Sequence, residues 1–363
     1  MKKNLIAIAV GAAIVMPGVA LADAKVYGRF NIALDSQKDE IGLDFKNDGE
    51  TSWKFRDAKN SSRFGVKGKD DLGIGGLEGF YQMEWGVDPT GDGVEGDIFT
   101  RRNIFVGVRG GFGSLKVGFY DTLIKEAGAA VDIFNDTPGD IDALMAGEQR
   151  LSNMLTYTTP KFADAIELSV AIQPGEGRTA GDDIGDVEDG IADTIFASAK
   201  YETDMFQATL AYAGNQITDL KLDKGTAAAD IIRASAVLKL RDLELGALYQ
   251  IADGIDQDGT IDDDEDPVTP EVAGPFANGG ERSDSSFMLS AAYTLSAVKL
   301  KGMYALTNGD TNDKDRTELA LGVDYKLNKS TYMSLYYITF EDDAGGGDKP
   351  TTDTIGTALV YSF

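Results

Sequence analysis

Glu318-Leu319-Ala320-Leu321-Gly322-Val323-Asp324-Tyr325-Lys326-Leu327 alternates without a break. Leu319, Leu321, Val323, Tyr325 and Leu327 fall on one side, and Glu318, Ala320, Gly322, Asp324 and Lys326 on the other. Successive side chains of a strand point to opposite faces, so this stretch predicts a strand with one apolar and one polar face. The period recurs at 25–35, where Val26, Gly28, Phe30, Ile32 and Leu34 oppose Tyr27, Arg29, Asn31, Ala33 and Asp35. It recurs again at 355–363, where Ile355, Thr357, Leu359, Tyr361 and Phe363 share a side. Segments 166–173, 206–213, 232–240, 243–251, 287–295 and 298–306 repeat it, and the helical period of 3.6 is nearly absent.

The connections alternate as well. Arg109-Gly110-Gly111, Glu202-Thr203-Asp204, Arg241-Asp242 and Asn328-Lys329 read as tight turns. Between them lie acidic, glycine-rich stretches at about 174–192, 215–228, 253–284, 308–315 and 342–351. Roughly 16 strands of about 9–11 residues, with short turns on one rim and long loops on the other, describe a transmembrane β-barrel. In hydrocarbon every backbone N–H and C=O must be paired internally, and a closed sheet leaves no edge. The row of Leu319, Leu321 and Val323 therefore belongs in lipid. Glu318, Asp324 and Lys326 belong in a water-filled lumen, since a cation at the bilayer midplane costs about 2–4 kcal/mol. Tyr249, Tyr293, Tyr325, Tyr361 and Phe363 fall on outward rows near segment ends, where interfacial aromatic girdles sit.

Lys2 and Lys3, an apolar run from Leu5 to Val15, then Pro17-Gly18 and Ala20-Leu21-Ala22 predict a secretory signal peptide cleaved after Ala22. Residues 23–363 are then one exported barrel domain. The 363-residue chain has no cysteine and no histidine, which excludes Ser-His-Asp and Cys-His nucleophiles, His/Cys metal sites and disulfides. Its net charge of -26 argues against nucleic acid as a partner. No cofactor is expected.

Several elements together resemble one family. They are Tyr27-Gly28-Arg29, the run Ser62-Arg63-Phe64-Gly65-Val66-Lys67-Gly68, and the run Arg102-Asn103-Ile104-Phe105-Val106-Gly107-Val108. Gly111-Phe112-Gly113-Ser114-Leu115-Lys116-Val117-Gly118 and Leu359-Val360-Tyr361-Ser362-Phe363 complete the set. In order and spacing they are similar to the Gram-negative general porins. That resemblance implies an all-β, 16-stranded antiparallel barrel in the bacterial outer membrane, with an infolded third extracellular loop. It implies a homotrimer, contact with outer-membrane lipid and lipopolysaccharide, and Phe363 with Tyr361 as the signal for the barrel-assembly machinery.

Segment 121–149 is the matching loop. It is less charged than the other long connections and richer in Ala and Leu, and 123–133 is helix-compatible. The family sets wall arginines against carboxylates on this loop. The resemblance carries the wall role to Arg29, Arg63, Arg150 and Arg102, while strand alternation would equally let Arg101 face the pore. Asp132 and Asp136 are the facing carboxylates it suggests, with Asp140 and Asp142 as substitutes. The loop reads Phe134-Asn135-Asp136-Thr137-Pro138-Gly139-Asp140, not the enterobacterial Pro-Glu-Phe-Gly-Gly. The function expected is passive diffusion of small hydrophilic solutes, weakly cation-selective because acidic loops collect cations at the mouth, with no reaction catalysed.

Two other readings share these features. One is a substrate-selective channel of the same shape. The other is a soluble, secreted, calcium-dependent β-structured binding or adhesion protein. Asp256, Asp258, Gly259, Asp262 and Glu265 are spaced like part of an EF-hand, but Gly254 stands where the first ligand belongs and strand patterns flank the stretch.

Overall fold

A computed structural model of the protein describes residues 24–41, 50–57, 61–91, 99–175, 190–222, 225–254, 282–309, 314–343 and 349–363. The expected leader (1–22) and most of the acidic 253–266 stretch lie outside them. The chain forms β1 (Lys25–Asp39), β2 (Thr51–Asp57), β3 (Arg63–Asp71), β4 (Glu78–Val87), β5 (Phe99–Gly110) and β6 (Gly113–Asp121). After a short helix, α1 (Leu123–Gly128), come β7 (Arg150–Thr158), β8 (Ile166–Gln173), β9 (Thr194–Glu202), β10 (Phe206–Leu220), β11 (Gly225–Leu240) and β12 (Leu243–Gly254). The last are β13 (Arg282–Leu295), β14 (Val298–Gly309), β15 (Lys314–Lys326), β16 (Thr331–Asp343) and β17 (Thr351–Ser362).

Apart from β2 and β3, consecutive strands pair antiparallel, and β1 pairs with β17 from Arg29↔Ser362 to Asp39↔Thr352, which closes the sheet. The 17 strand segments make 16 staves. β2 and β3 share one stave, each pairing with its own half of β1. The break between them is stitched by side chains. Asp57 accepts from the Ser62 N–H at 3.0 Å and its hydroxyl at 2.8 Å, and Ser62 Oγ accepts from the Asn31 N–H at 2.9 Å.

The faces follow the alternation. Leu319, Leu321, Val323 and Tyr325 are exposed, whereas Glu318 and Ala320 on the alternate row are fully buried. The five girdle aromatics are all exposed as well. Among the described residues no helix is long and apolar enough to cross a membrane.

Two expectations need correction. The stretch 215–228 is not a long loop, because β10 and β11 run on through it to Leu220 and from Gly225. A register shift between Ala213 and Gln216 flips the face of the residues beyond it, which hides the alternation. The helix expected over 123–133 stops at Gly128. Beyond it Asp132 turns the chain, accepting the Phe134 and Ile141 N–H groups at 3.2 and 3.3 Å.

The β5–β6 turn of the short rim sets Gly110 opposite Gly113 across two residues. Gly113 has φ +104°, and a Cβ there would overlap the Thr158 carbonyl oxygen. Gly113→Ala is expected to cost about 1–3 kcal/mol from backbone strain. Gly111→Ala, with open space around it, should be close to neutral. Urea midpoints of the refolded barrels compare the two, and equal midpoints would contradict this turn geometry.

Candidate functional site

Four arginines reach the inner face from separate staves: Arg29 on β1, Arg63 on β3, Arg102 on β5 and Arg150 on β7. The pairing of β4 with β5 decides between Arg101 and Arg102. Met83 lies opposite Ile104 and Trp85 opposite Arg101, so Arg102 and Asn103 together face Glu84, one residue too many. This bulge turns Arg102 inward, where it is buried. Arg101 points to the outer face, its guanidinium 5.1 Å from the centre of the Phe119 ring, and leaves the inner cluster.

Glu84 on β4 gathers the inner charges. It accepts from Arg102 Nε at 2.9 Å and from the Tyr27 hydroxyl at 2.9 Å, and Arg63 Nε lies 3.8 Å away. Arg150 pairs with Asp121 at 3.1 Å, and the bulge residue Asn103 holds that carboxylate by donating Nδ2 at 2.8 Å. Arg29 reaches the segment between β6 and β7. Its Nη1 is 2.9 Å from Asp136 Oδ2, and its Nη2 donates to the Tyr332 hydroxyl at 3.1 Å. Asn31 Nδ2 donates to the Asp136 carbonyl at 3.1 Å, fixing a residue held at φ 66°.

The remaining suggested carboxylates do other work. Asp132 is buried within the segment; burial and the neighbouring Asp140 push its carboxyl well above the usual range. Asp140 caps a 3-10 turn at Ile141–Ala143, accepting the Asp142 N–H at 3.0 Å. Asp142 accepts from Lys221 Nζ at 3.1 Å. Of the four, Asp136 is the carboxylate that pairs with Arg29.

Segment 121–149 packs against the polar face of the opposite staves. Val131, Phe134, Ile141, Leu144 and Met145 are buried in one cluster with Ala33, Leu248, Met303, Ala320 and Ile338 of the wall. Its carbonyls are taken up by wall donors. Ser235 Oγ donates to Ala127 at 2.6 Å, Thr307 Oγ1 to Leu144 at 3.0 Å and Arg316 Nη1 to Ala143 at 3.2 Å. Buried backbone acceptors need such partners, and a segment without regular secondary structure finds them only on a polar wall.

Sequence reasoning missed Glu84, Asp121 and Arg233. Glu84 and Arg233 carried a parity signal, a charge on the polar row of an alternating strand. Asp121 stood at the edge of the loop without one.

A family model described as Gram-negative porin matches residues 7–345. The chain belongs to the Gram-negative porins. It is an outer-membrane β-barrel channel, and the soluble adhesion reading falls with that. This porin is 22% identical over 374 residues to the major outer membrane protein P.IB of Neisseria gonorrhoeae, covering all of both chains. It is 25% identical to that of Neisseria lactamica, over 98% of each. Among solved structures, the outer membrane channel DcaP of Acinetobacter baumannii superposes with TM-score 0.67 at 12% identity, covering 96% of this porin and 99% of that chain. OmpF of Salmonella typhi gives 0.64 at 16%, covering 96% and all of that chain. OmpT of Vibrio cholerae, in a trimer form, gives 0.61 at 14%, covering 94% and 99%.

Proposed function

We propose that this porin is a passive, weakly cation-selective channel for small hydrophilic solutes, narrowed by segment 121–149 folded into its lumen. The observation that carries the reading is the Arg29–Asp136 pair, which joins a wall stave to that segment beside three more wall arginines. Opposed charges at a narrow waist orient water and dipolar solutes, and low-dielectric walls strengthen that field. Apolar solutes must strip the ordered water and are disfavoured. Nothing is catalysed and no energy is coupled.

The sign of the selectivity follows from pairing. Arg29, Arg63, Arg102 and Arg150 each lie beside a carboxylate, so they orient solutes more than they repel cations. Segment 121–149 carries seven acidic side chains and a single basic one, Lys125. A reversal potential across a planar bilayer under a KCl gradient should therefore show modest preference for potassium, and clear chloride preference would overturn it.

By its family the porin works as a homotrimer, exported through cleavage after Ala22 and seated in outer-membrane lipid and lipopolysaccharide. Phe363 and Tyr361 address it to the assembly machinery. The trimer form of its Vibrio cholerae neighbour supports the oligomer. Conductance lost in thirds as single pores close would agree with it.

A further inference from the structure

Arg233 of β11 is the largest fully buried side chain among the described residues. A guanidinium offers five N–H donors in a rigid fork, and here the fork has a partner on every nitrogen. Nε donates to Gln250 Oε1 at 2.7 Å, Nη2 to the Ala146 carbonyl at 3.0 Å, and Nη1 to the Ile124 carbonyl at 3.0 Å and to the Glu148 carboxylate. Gln250 returns to the same place, donating Nε2 to the Ala146 carbonyl at 3.2 Å.

These partners sit on both limbs of segment 121–149. Ile124 is on the limb leaving β6, and Ala146 and Glu148 are on the limb returning to β7. The bonds that Ser235, Thr307 and Arg316 make to Ala127, Leu144 and Ala143 each reach one limb. Gly128 allows the close approach, since a Cβ there would lie 2.7 Å from Arg233 Nη1. Lys125 Nζ, 3.3 Å from Glu148 Oε2, adds a second cation on the same carboxylate.

We propose that Arg233, with Glu148, is the clamp that fixes segment 121–149 across the lumen, a positioning residue that sets the width and steadiness of the waist without lining it. The proposal rests on reading that segment as the constriction. Removing one partner of a buried ion pair leaves an uncompensated charge or frees the carbonyls it held. Both limbs then loosen together, and the permeation path fluctuates with them.

Single-channel recording of the refolded full-length porin tests this. Arg233→Met should raise open-state current noise several-fold and change the unitary conductance, while unheated gel migration still reports a folded barrel. In that background Ala127→Cys with Ser235→Cys, introduced where Ser235 Oγ donates to the Ala127 carbonyl at 2.6 Å, should restore quiet, wild-type current on oxidation and lose it on reduction. If Arg233→Met does not insert, Glu148→Gln carries the same expectation. A folded clamp variant with wild-type noise and conductance overturns the proposal, as does an oxidised cross-link that quiets nothing. Should Glu84→Gln still move ion selectivity in that case, the constriction stands and only the clamp fails; if neither set of variants alters the current, both fail.

Discussion

Leu321→Lys is expected to destabilise the inserted barrel by about 2–4 kcal/mol, the cost of a cation on the lipid face near the bilayer midplane. Leu321 lies in the middle of the aliphatic row of β15, flanked by Leu319 and Val323, and is 51% exposed. On a protein bathed by water, a lysine at such an exposed site would shift stability by no more than about 0.5 kcal/mol. The same substitution thus separates two solvents by a wide margin. Denaturant titration of the porin folded into lipid vesicles reads it directly, and a change within the smaller figure would place the aliphatic row in water.

Glu84→Gln is expected to turn the channel towards anions. Glutamine keeps the shape and an acceptor for Arg102 but removes the charge that Arg63 and Arg102 share. Four guanidinium groups now face Glu84, Asp121 and Asp136, an excess of one positive charge, and the substitution makes it two. A unit charge about 5 Å from a passing ion contributes about 0.8 kcal/mol in bulk water and about 3 kcal/mol at an effective dielectric near 20. Even the smaller figure changes an ion's partition about fourfold. The reversal potential should shift towards chloride, more at 0.1 M salt than at 1 M, where the screening length falls from about 10 to about 3 Å. Arg101→Ala, on the outer face, should leave it where it was. No shift for Glu84→Gln, or an equal shift for Arg101→Ala, would contradict the inner cluster as assigned.

The wall could be read from the sequence because lipid and water impose a two-residue period, and Glu318 to Leu327 states it outright. Reading failed where that period is interrupted. Around Ala213 and Gln216 a bulge exchanges the inner and outer rows, so a continuous strand looks like a loop. The bulge opposite Glu84 does the same to Arg101 and Arg102, and no count of alternating positions can say which of the pair turns inward. Segment 121–149 is harder still. Its path is set by carbonyls of Ile124, Ala143, Leu144 and Ala146 finding donors on distant staves, and backbone acceptors leave no mark on a sequence. Asp136 was legible as a carboxylate on that segment. That Asp132 would instead fold back onto its own backbone was not.

The most direct measurement uses the absence of cysteine, which makes any introduced thiol unique. Planar-bilayer currents are recorded through Asp136→Cys and Leu321→Cys porins while a membrane-impermeant, negatively charged thiol reagent is added to the aqueous phase. A wet tube with its waist at Asp136 predicts a stepwise fall in unitary conductance for the first and none for the second. An undiminished current after complete labelling at position 136, or ready labelling at position 321, would contradict it.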